Sequence, residues 1–230
     1  PRSTLDRSSA ASDVYKRQGH IHDADPLELM KASLAIELLH NFSLVHDDIM
    51  DNDDTRHGQP AVHKKWDDPI AILSGDTLFV LAQLLLTDLD PVIHQRFNEV
   101  ALSVCEGQGF DKEFENDITI SVKQYLSMIE KKTGALLGAC AALPAILIGR
   151  DKDTIDALDQ FGRNLGKGFQ IHDDLLEIYG DSDTMGKSLG SDIYAGKQTL
   201  MVIMARENGS VELSEMLNGD NNHSPEAVQN

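Results

Sequence analysis

Six carboxylates in two echoing clusters are the residues of this chain whose types and spacing could do chemistry. HDDIMD spans His46 to Asp51, and HDDLLE spans His172 to Glu177. Asp47, Asp48 and Asp51 stand at i, i+1 and i+4, so Asp47 and Asp51 share one helix face a turn apart. Asp173, Asp174 and Glu177 repeat that geometry. Carboxylates crowded on one face repel one another without a cation. Magnesium takes oxygen ligands in an octahedron and keeps positions open for substrate phosphates. Two such clusters on facing helices could hold several Mg²⁺ ions around one diphosphate. A single acidic helix end is ordinarily a solvated surface. Here each copy follows a His, ends an apolar helical stretch and precedes a loop with cations. Arg56 and His57 follow the first, and Lys187 and Lys197 follow the second, spaced with Gly186, Gly190 and Gly196. Cations set in glycine-rich backbone suit phosphate. His46 and His172 read as capping or supporting groups, because Mg²⁺ prefers oxygen.

Helices must position these groups. Leu27, Met30, Leu34, Leu38, Phe42 and Val45 recur at spacings of three and four. A helix therefore runs from Pro26 to about Asn52, with Asp25 as N-cap and proline first in line. Asp53 to Asp67 reads as a loop. Helices follow over Ile70–Leu89 and Pro91–Gln108, then a charged break over Gly107–Asp117. A fourth helix starts near Ile118 and runs towards Ile148, kinked at Thr133-Gly134 and Pro144. A fifth covers Asp153–Tyr179, a long loop Gly180–Lys197, and short helices Thr199–Glu207 and Val211–Leu217. No alternating pattern of useful length marks a strand. The expected class is an all-α globular bundle.

Composition narrows the partners. Of 230 residues, 20 are Lys or Arg and 38 are Asp or Glu, a formal charge of −18. That excess excludes a general nucleic-acid binder and docking on anionic membranes through a basic patch. A hydrophobic fraction of 41% suffices for a packed core. Two cysteines, Cys105 and Cys140, read as free thiols. The longest uncharged run, Gly134 to Gly149, falls short of the roughly 20 residues of a span and contains Pro144, so it reads as a core helix, with no membrane span. A cytoplasmic location is the expectation. Pro1 to Gln18 is polar and aperiodic, and Asp13 to Gln18 resembles a translated sequencing adapter. Residues 1–18 are accordingly set apart from 19–230.

The two motifs and their surroundings resemble the trans-isoprenyl diphosphate synthases of the polyprenyl synthetase family, of the archaeal geranylgeranyl type. The first motif continues as RHGQPAVH (Arg56 to His63). The second reads GFQIHDDLLE (Gly168 to Glu177), then GDSDTMGKSLGSD (Gly180 to Asp192) and GKQT (Gly196 to Thr199). EGQGFD (Glu106 to Asp111) and YLSMIEKKTGAL (Tyr125 to Leu136) lie between. The resemblance covers about Pro26 to Leu200. It implies an isoprenoid-synthase-type bundle with a central cavity, acting as a homodimer on isopentenyl diphosphate and an allylic diphosphate with Mg²⁺. It implies that Asp47, Asp48, Asp51, Asp173, Asp174 and Glu177 hold or support the metal. Arg56, Lys132 and Lys187 would bind the allylic diphosphate. Thr133 and Gln170 would line the developing cation, and His40 would contact the homoallylic diphosphate. Asp111 would support the metal shell, and Lys197 a closing loop.

Product length follows from the floor of the cavity. Phe42 and Ser43 stand five and four residues before Asp47. In the resembled family a bulky residue there stops elongation, and one aromatic followed by a small residue implies a C20 product. Four departures accompany the resemblance. The Gly-Lys-Arg segment that binds isopentenyl diphosphate in the family has no counterpart upstream of the first motif. His57 replaces a second Arg, Glu177 replaces an Asp, and the family's further helices after GKQT are not matched. A partial synthase domain is the expectation, with a class I terpene cyclase or a non-catalytic metal- and diphosphate-binding partner subunit as rival readings.

Overall fold

Three long helices open on a capping aspartate with a proline in the first turn. The computed structural model describes residues 24–179 and 196–209, and of Glu177 and Tyr179 the backbone alone. Helix α1 (Pro26–Met50) starts at Asp25, whose carboxylate accepts from the amides of Leu27 and Glu28 at 2.9 and 3.0 Å. Two-residue strands β1 (Thr55–Arg56) and β2 (Gln59–Pro60) pair antiparallel, followed by the single turn α2 (Val62–Lys65). Asp67 caps α3 (Asp68–Leu86), and Asp90 caps α4 (Pro91–Phe114). A Ser121–Gln124 capping box starts α5 (Val122–Ile129). A π-helical turn (Glu130–Gly134) joins α5 to α6 (Ala135–Leu147), and α7 (Lys152–Tyr179) and α8 (Leu200–Glu207) follow.

The all-α expectation holds, with local differences. Residues 55–60 form a miniature hairpin inside the expected loop. Its central pair, His57 and Gly58, takes φ of +53° and +72°, the left-handed pair that a type I′ turn needs. The expected break after Gln108 is absent, because α4 continues to Phe114. Residues 117–120 precede the fourth helix instead of joining it, since Asp117 turns its carboxylate onto the Thr119 amide at 2.8 Å. The expected kink at Thr133-Gly134 is the π-turn. Pro144 lies in the last turn of α6 and is buried. The segments 1–18, 180–195 and 211–217 discussed above lie outside the described residues.

The main core joins α1 (Leu29, Ile36, Leu39), α4 (Ile93, Phe97, Val100) and α6 (Ala139, Leu143). A smaller cluster gathers Ile120, Tyr125, Met128, Ile129 and Ile203. Helices α6 and α7 meet at backbone distance along glycines. A Cβ at Gly162 would lie 2.2 Å from the Leu137 carbonyl oxygen, and one at Gly166 2.7 Å from Gly134 Cα. This seam brings Thr133 onto α7. Among the described residues, one helix, α3, is long and apolar enough to cross a membrane by length and composition. One face of α3 packs along α1, where His46 Nε2 lies 3.2 Å from the Ile72 carbonyl oxygen, an acceptor, and fills the space that Gly75 leaves.

Candidate active site

The C-terminal ends of α1 and α4 and the π-turn converge on one charged site. Lys132 of the π-turn donates to Asp47 Oδ1 at 3.2 Å and to Asp111 Oδ2 at 2.7 Å. It can reach both because α4 crosses the π-turn at Gly107, where a Cβ would lie 2.2 Å from the Lys132 amide nitrogen. Lys197 donates to Asp51 Oδ2 at 2.6 Å and lies 3.9 Å from Asp111. Its segment is anchored through Gly196, whose carbonyl accepts from the Asn116 amide at 2.9 Å. Gly196 has φ of +72°, and a Cβ there would lie 2.1 Å from Asn116 Oδ1. Arg56 is directed onto Asp48 through Nε, at 2.7 Å, and through Nη2, and it also contacts Asp53 at 3.3 Å and Asp47 at 3.9 Å.

Electrostatics follow from this pairing. Burial would raise the pKa of Asp51, but Lys197, Lys132 and Lys112 outweigh it and hold the carboxyl below its usual range. Burial opposes charge on Lys132, yet Asp47 and Asp111 hold the ammonium charged. Asp48 is 2% exposed, and burial pushes its pKa up although Arg56 works against the rise. His40 is lowered to about 4 by burial, with His57 and Arg56 adding repulsion.

On α7, Gln170 faces Thr133. Thr133 Oγ1 donates to Gln170 Oε1 at 2.9 Å, and Gln170 Nε2 donates to Asp174 Oδ1 at 3.0 Å. Asp173 lies one residue before Asp174 on α7 and is partly buried. The backbone of Glu177 belongs to α7, its side chain is outside the described residues, and so is the whole of Lys187. Phe42 packs edge-on to His46 at 4.7 Å and tilted against Phe79 at 5.3 Å, and Phe79 stacks on Phe97 at 6.3 Å. Ser43 turns its hydroxyl onto the His40 carbonyl at 2.8 Å. Three participants were given no role by the sequence, Lys112 and Asn116 outside the motifs and Tyr125 at the head of one. Lys112 donates to the Met50 carbonyl at 3.0 Å, to Asp51 Oδ1 at 3.4 Å and to Glu115 at 2.6 Å. Tyr125 donates to Asp174 Oδ2 at 2.5 Å, and Asn116 holds Gly196. Each is a contact between residues distant in the chain or an isolated charge in an acidic sequence. A cavity of about 360 Å³ opens on the other side of the π-turn, lined by Ser103, Lys123, Ser127, Lys131 and Arg163 among others. Lys131 there is paired with Glu106, and Arg163 with Asp159.

Among the described residues, no three His, Cys, Asp or Glu side chains form a ready metal cage. The donors are carboxylate oxygens, and Asp47 and Asp51 each already face a cationic centre, the ammonium of Lys132 or Lys197. That fits Mg²⁺, which takes one or two protein carboxylates and leaves its other positions to water and phosphate.

A helical bundle that sets an acidic helix end against lysines, with a threonine–glutamine pair beside them, is the architecture of an all-α isoprenoid synthase. The chain belongs to the polyprenyl synthetase family, whose model matches residues 7–230. It is 43% identical over 187 residues to a geranylgeranyl diphosphate synthase of Methanosarcina mazei, covering 79% of this chain and 58% of that protein. A geranylfarnesyl diphosphate synthase of Natronomonas pharaonis is 41% identical over 191 residues, covering 80% and 56%. The solved structure of a geranylgeranyl pyrophosphate synthetase from the archaeon Geoglobus acetivorans superposes with a TM-score of 0.83 at 40% identity, over 95% of this chain and 70% of that one. The chain thus spans 56% and 58% of the length of these two curated relatives.

Proposed function

We propose that the chain carries the active site of a Mg²⁺-dependent trans-prenyltransferase, which joins isopentenyl diphosphate head-to-tail to an allylic diphosphate and releases geranylgeranyl diphosphate. The observation that supports this reading most directly is Thr133 and Gln170 hydrogen-bonded to each other next to Lys132, which faces Asp47. Asp47, Asp51 and Asp173 would hold the metal, with Asp48, Asp174 and Glu177 in support. Bound Mg²⁺ supplies Lewis-acid charge to the leaving diphosphate. Lys132, Arg56 and Lys187 would take diphosphate oxygens, and Lys132 and Lys197 would exchange their aspartates for phosphate as substrate enters. The allylic C–O bond breaks with its electron pair on the diphosphate. The double bond of isopentenyl diphosphate then forms the new C–C bond, and the adduct cation passes a proton to the departed diphosphate, restoring a double bond. The oxygens of Thr133 and Gln170 face the positive charge as it develops. His40, whose pKa burial lowers to about 4 in the fold without substrate, would contact the second diphosphate through its ring N–H.

Phe42 backed by Phe79 and Phe97 forms the floor of the growing chain in this reading. We infer that two copies pair through the outer face of α3. Leu73, Val80 and Leu84 fall on one side of that helix and are 61%, 55% and 58% exposed. The site requires no membrane or nucleic acid, and the reading places the protein in the cytoplasm. The test is incubation with Mg²⁺ and an allylic diphosphate, with and without labelled isopentenyl diphosphate. A C20 diphosphate that needs both substrates is the expected result. Diphosphate release with a hydrocarbon and no incorporation would instead support cyclisation, and metal-dependent binding without turnover a partner subunit.

A further inference from the structure

Tyr125 is buried in the smaller core cluster, 2% exposed, among Ile120, Met128, Ile129 and Ile203. Its hydroxyl donates to Asp174 Oδ2 at 2.5 Å, within the short range of a charge-assisted O–H···O⁻ bond. Asp174 is itself 6% exposed, and its other oxygen accepts from Gln170 Nε2 at 3.0 Å. An ionised carboxylate only accepts. Gln170 must therefore turn its NH₂ towards Asp174, which leaves its carbonyl facing Thr133. The Thr133 hydroxyl hydrogen goes to that carbonyl at 2.9 Å. The remaining lone pairs of both oxygens are then available to a positive charge beside them. With the amide reversed, an N–H donor would stand in place of the acceptor.

We propose that Tyr125 is a positioning residue of the transfer step: through Asp174 it fixes the orientation of the Gln170 amide, and so the pair of oxygens that Gln170 and Thr133 present to the developing allylic cation. This rests on the prenyl-transfer reading for its catalytic part, while the orientation of Gln170 stands on the hydrogen bonds alone. Asp174 acts in this chain as the link between α5 and α7. Tyr125 is enclosed in its cluster and acts through Asp174. Its contribution belongs to the transition state, where the cation forms, rather than to the binding of either diphosphate.

Tyr125→Phe in the full chain tests this by two measurements. In steady-state incorporation of isopentenyl diphosphate, kcat should fall roughly tenfold, the order expected for one charge-assisted hydrogen bond, with KM for both diphosphates within about twofold. That loss should vanish when Gln170→Ala is already present, because Tyr125 acts through Gln170. In ¹⁵N spectra without substrate, the Gln170 side-chain amide, assigned by its disappearance in Gln170→Ala, should shift and exchange faster with solvent in Tyr125→Phe. An unchanged kcat, a loss that adds to that of Gln170→Ala, or an unmoved Gln170 amide overturns the proposal. If the unsubstituted chain incorporates no isopentenyl diphosphate, the prenyl-transfer reading is what fails, and the amide signal still decides the role of Tyr125. Should Tyr125→Phe lose its near-UV circular dichroism, Asp174→Asn carries the same expectation for the Gln170 amide and is overturned by the same result.

Discussion

Gly107 and Gly109 stand two residues apart in α4, and alanine at each should move stability in opposite directions. A Cβ at Gly107 would lie 2.2 Å from the Lys132 amide nitrogen, 2.6 Å from Lys132 Cα and 2.8 Å from the Lys131 carbonyl carbon. All three are backbone atoms of the π-turn, so no side chain can swing aside. At Gly109 nothing lies within 4 Å. Replacing an exposed helical glycine by alanine gains up to about 1 kcal/mol, and Gly109→Ala should approach that. Overpacking costs about 1–3 kcal/mol, and rigid backbone places Gly107→Ala at the upper end. Subtracting the helical gain leaves a net loss of about 2 kcal/mol. In a chain of this size that is a fall of about 4–8 °C in Tm. The displaced backbone carries Lys132, so Mg²⁺-dependent binding of an allylic diphosphate should weaken with it. Thermal melts and titration calorimetry on both variants make the comparison. A Gly107→Ala protein that melts at or above the unsubstituted temperature would refute the close crossing of α4 and the π-turn.

Four further outcomes follow from the same geometry. Phe42→Ala should lengthen the product beyond C20 in chromatography of reaction extracts, and an unchanged length refutes Phe42 as the floor. His40 titrates at about 4 in the fold against 6.5 as its ordinary value, so the unfolded chain takes up the proton first. Stability should therefore fall as pH drops from 6.5 to 4, by about 2–3 kcal/mol after allowance for partial exposure, and urea titrations of His40→Asn should lack that slope. Lys112→Met removes one ammonium from Asp51 and should tighten Mg²⁺ binding severalfold by calorimetry, whereas weaker binding would show that Lys112 instead holds Asp51 in place for the metal. Leu73→Asp with Leu84→Asp should convert a dimer to monomer in sedimentation, and an unmoved sedimentation coefficient excludes the α3 face as the contact.

Most of the helical frame is legible because its causes are local. Asp25-Pro26 starts α1 as the residues require, and the apolar spacing from Leu27 to Val45 carries that helix to the first acidic motif. Thr133-Gly134 marks the irregularity between α5 and α6. The misplaced boundaries have causes elsewhere in the chain. Glycines at 107 and 109 with charged neighbours read as a break, yet α4 continues because Gly107 packs on a turn some twenty-five residues later. His57-Gly58 makes a hairpin too short to show alternation. In the site, Asp47, Asp51, Lys132, Thr133 and Gln170 were visible through spacing and family likeness, and the structure brings them together in two adjoining groups. Lys112 was not, and Tyr125 heads a quoted motif without a legible role, because what they contact is decided by the crossing of α4 and the seam between α6 and α7.

The π-turn sets a constraint on the reading frame of the fold itself. Each residue added to or removed from a helix rotates everything beyond it by about 100°. The five residues Glu130–Gly134, Lys132 and Thr133 among them, join the helix of Tyr125 to α6 in a register that an uninterrupted α-helix would not reproduce. Deleting one residue there would leave composition, charge and hydrophobic content almost untouched. It would nonetheless turn α6 away from the glycine seam, or else turn Tyr125 out of its cluster, since both contacts cannot survive the same rotation. Tolerance to single-residue deletion, scanned from 122 to 147, should therefore be lowest next to the turn and recover only where a compensating insertion restores the phase.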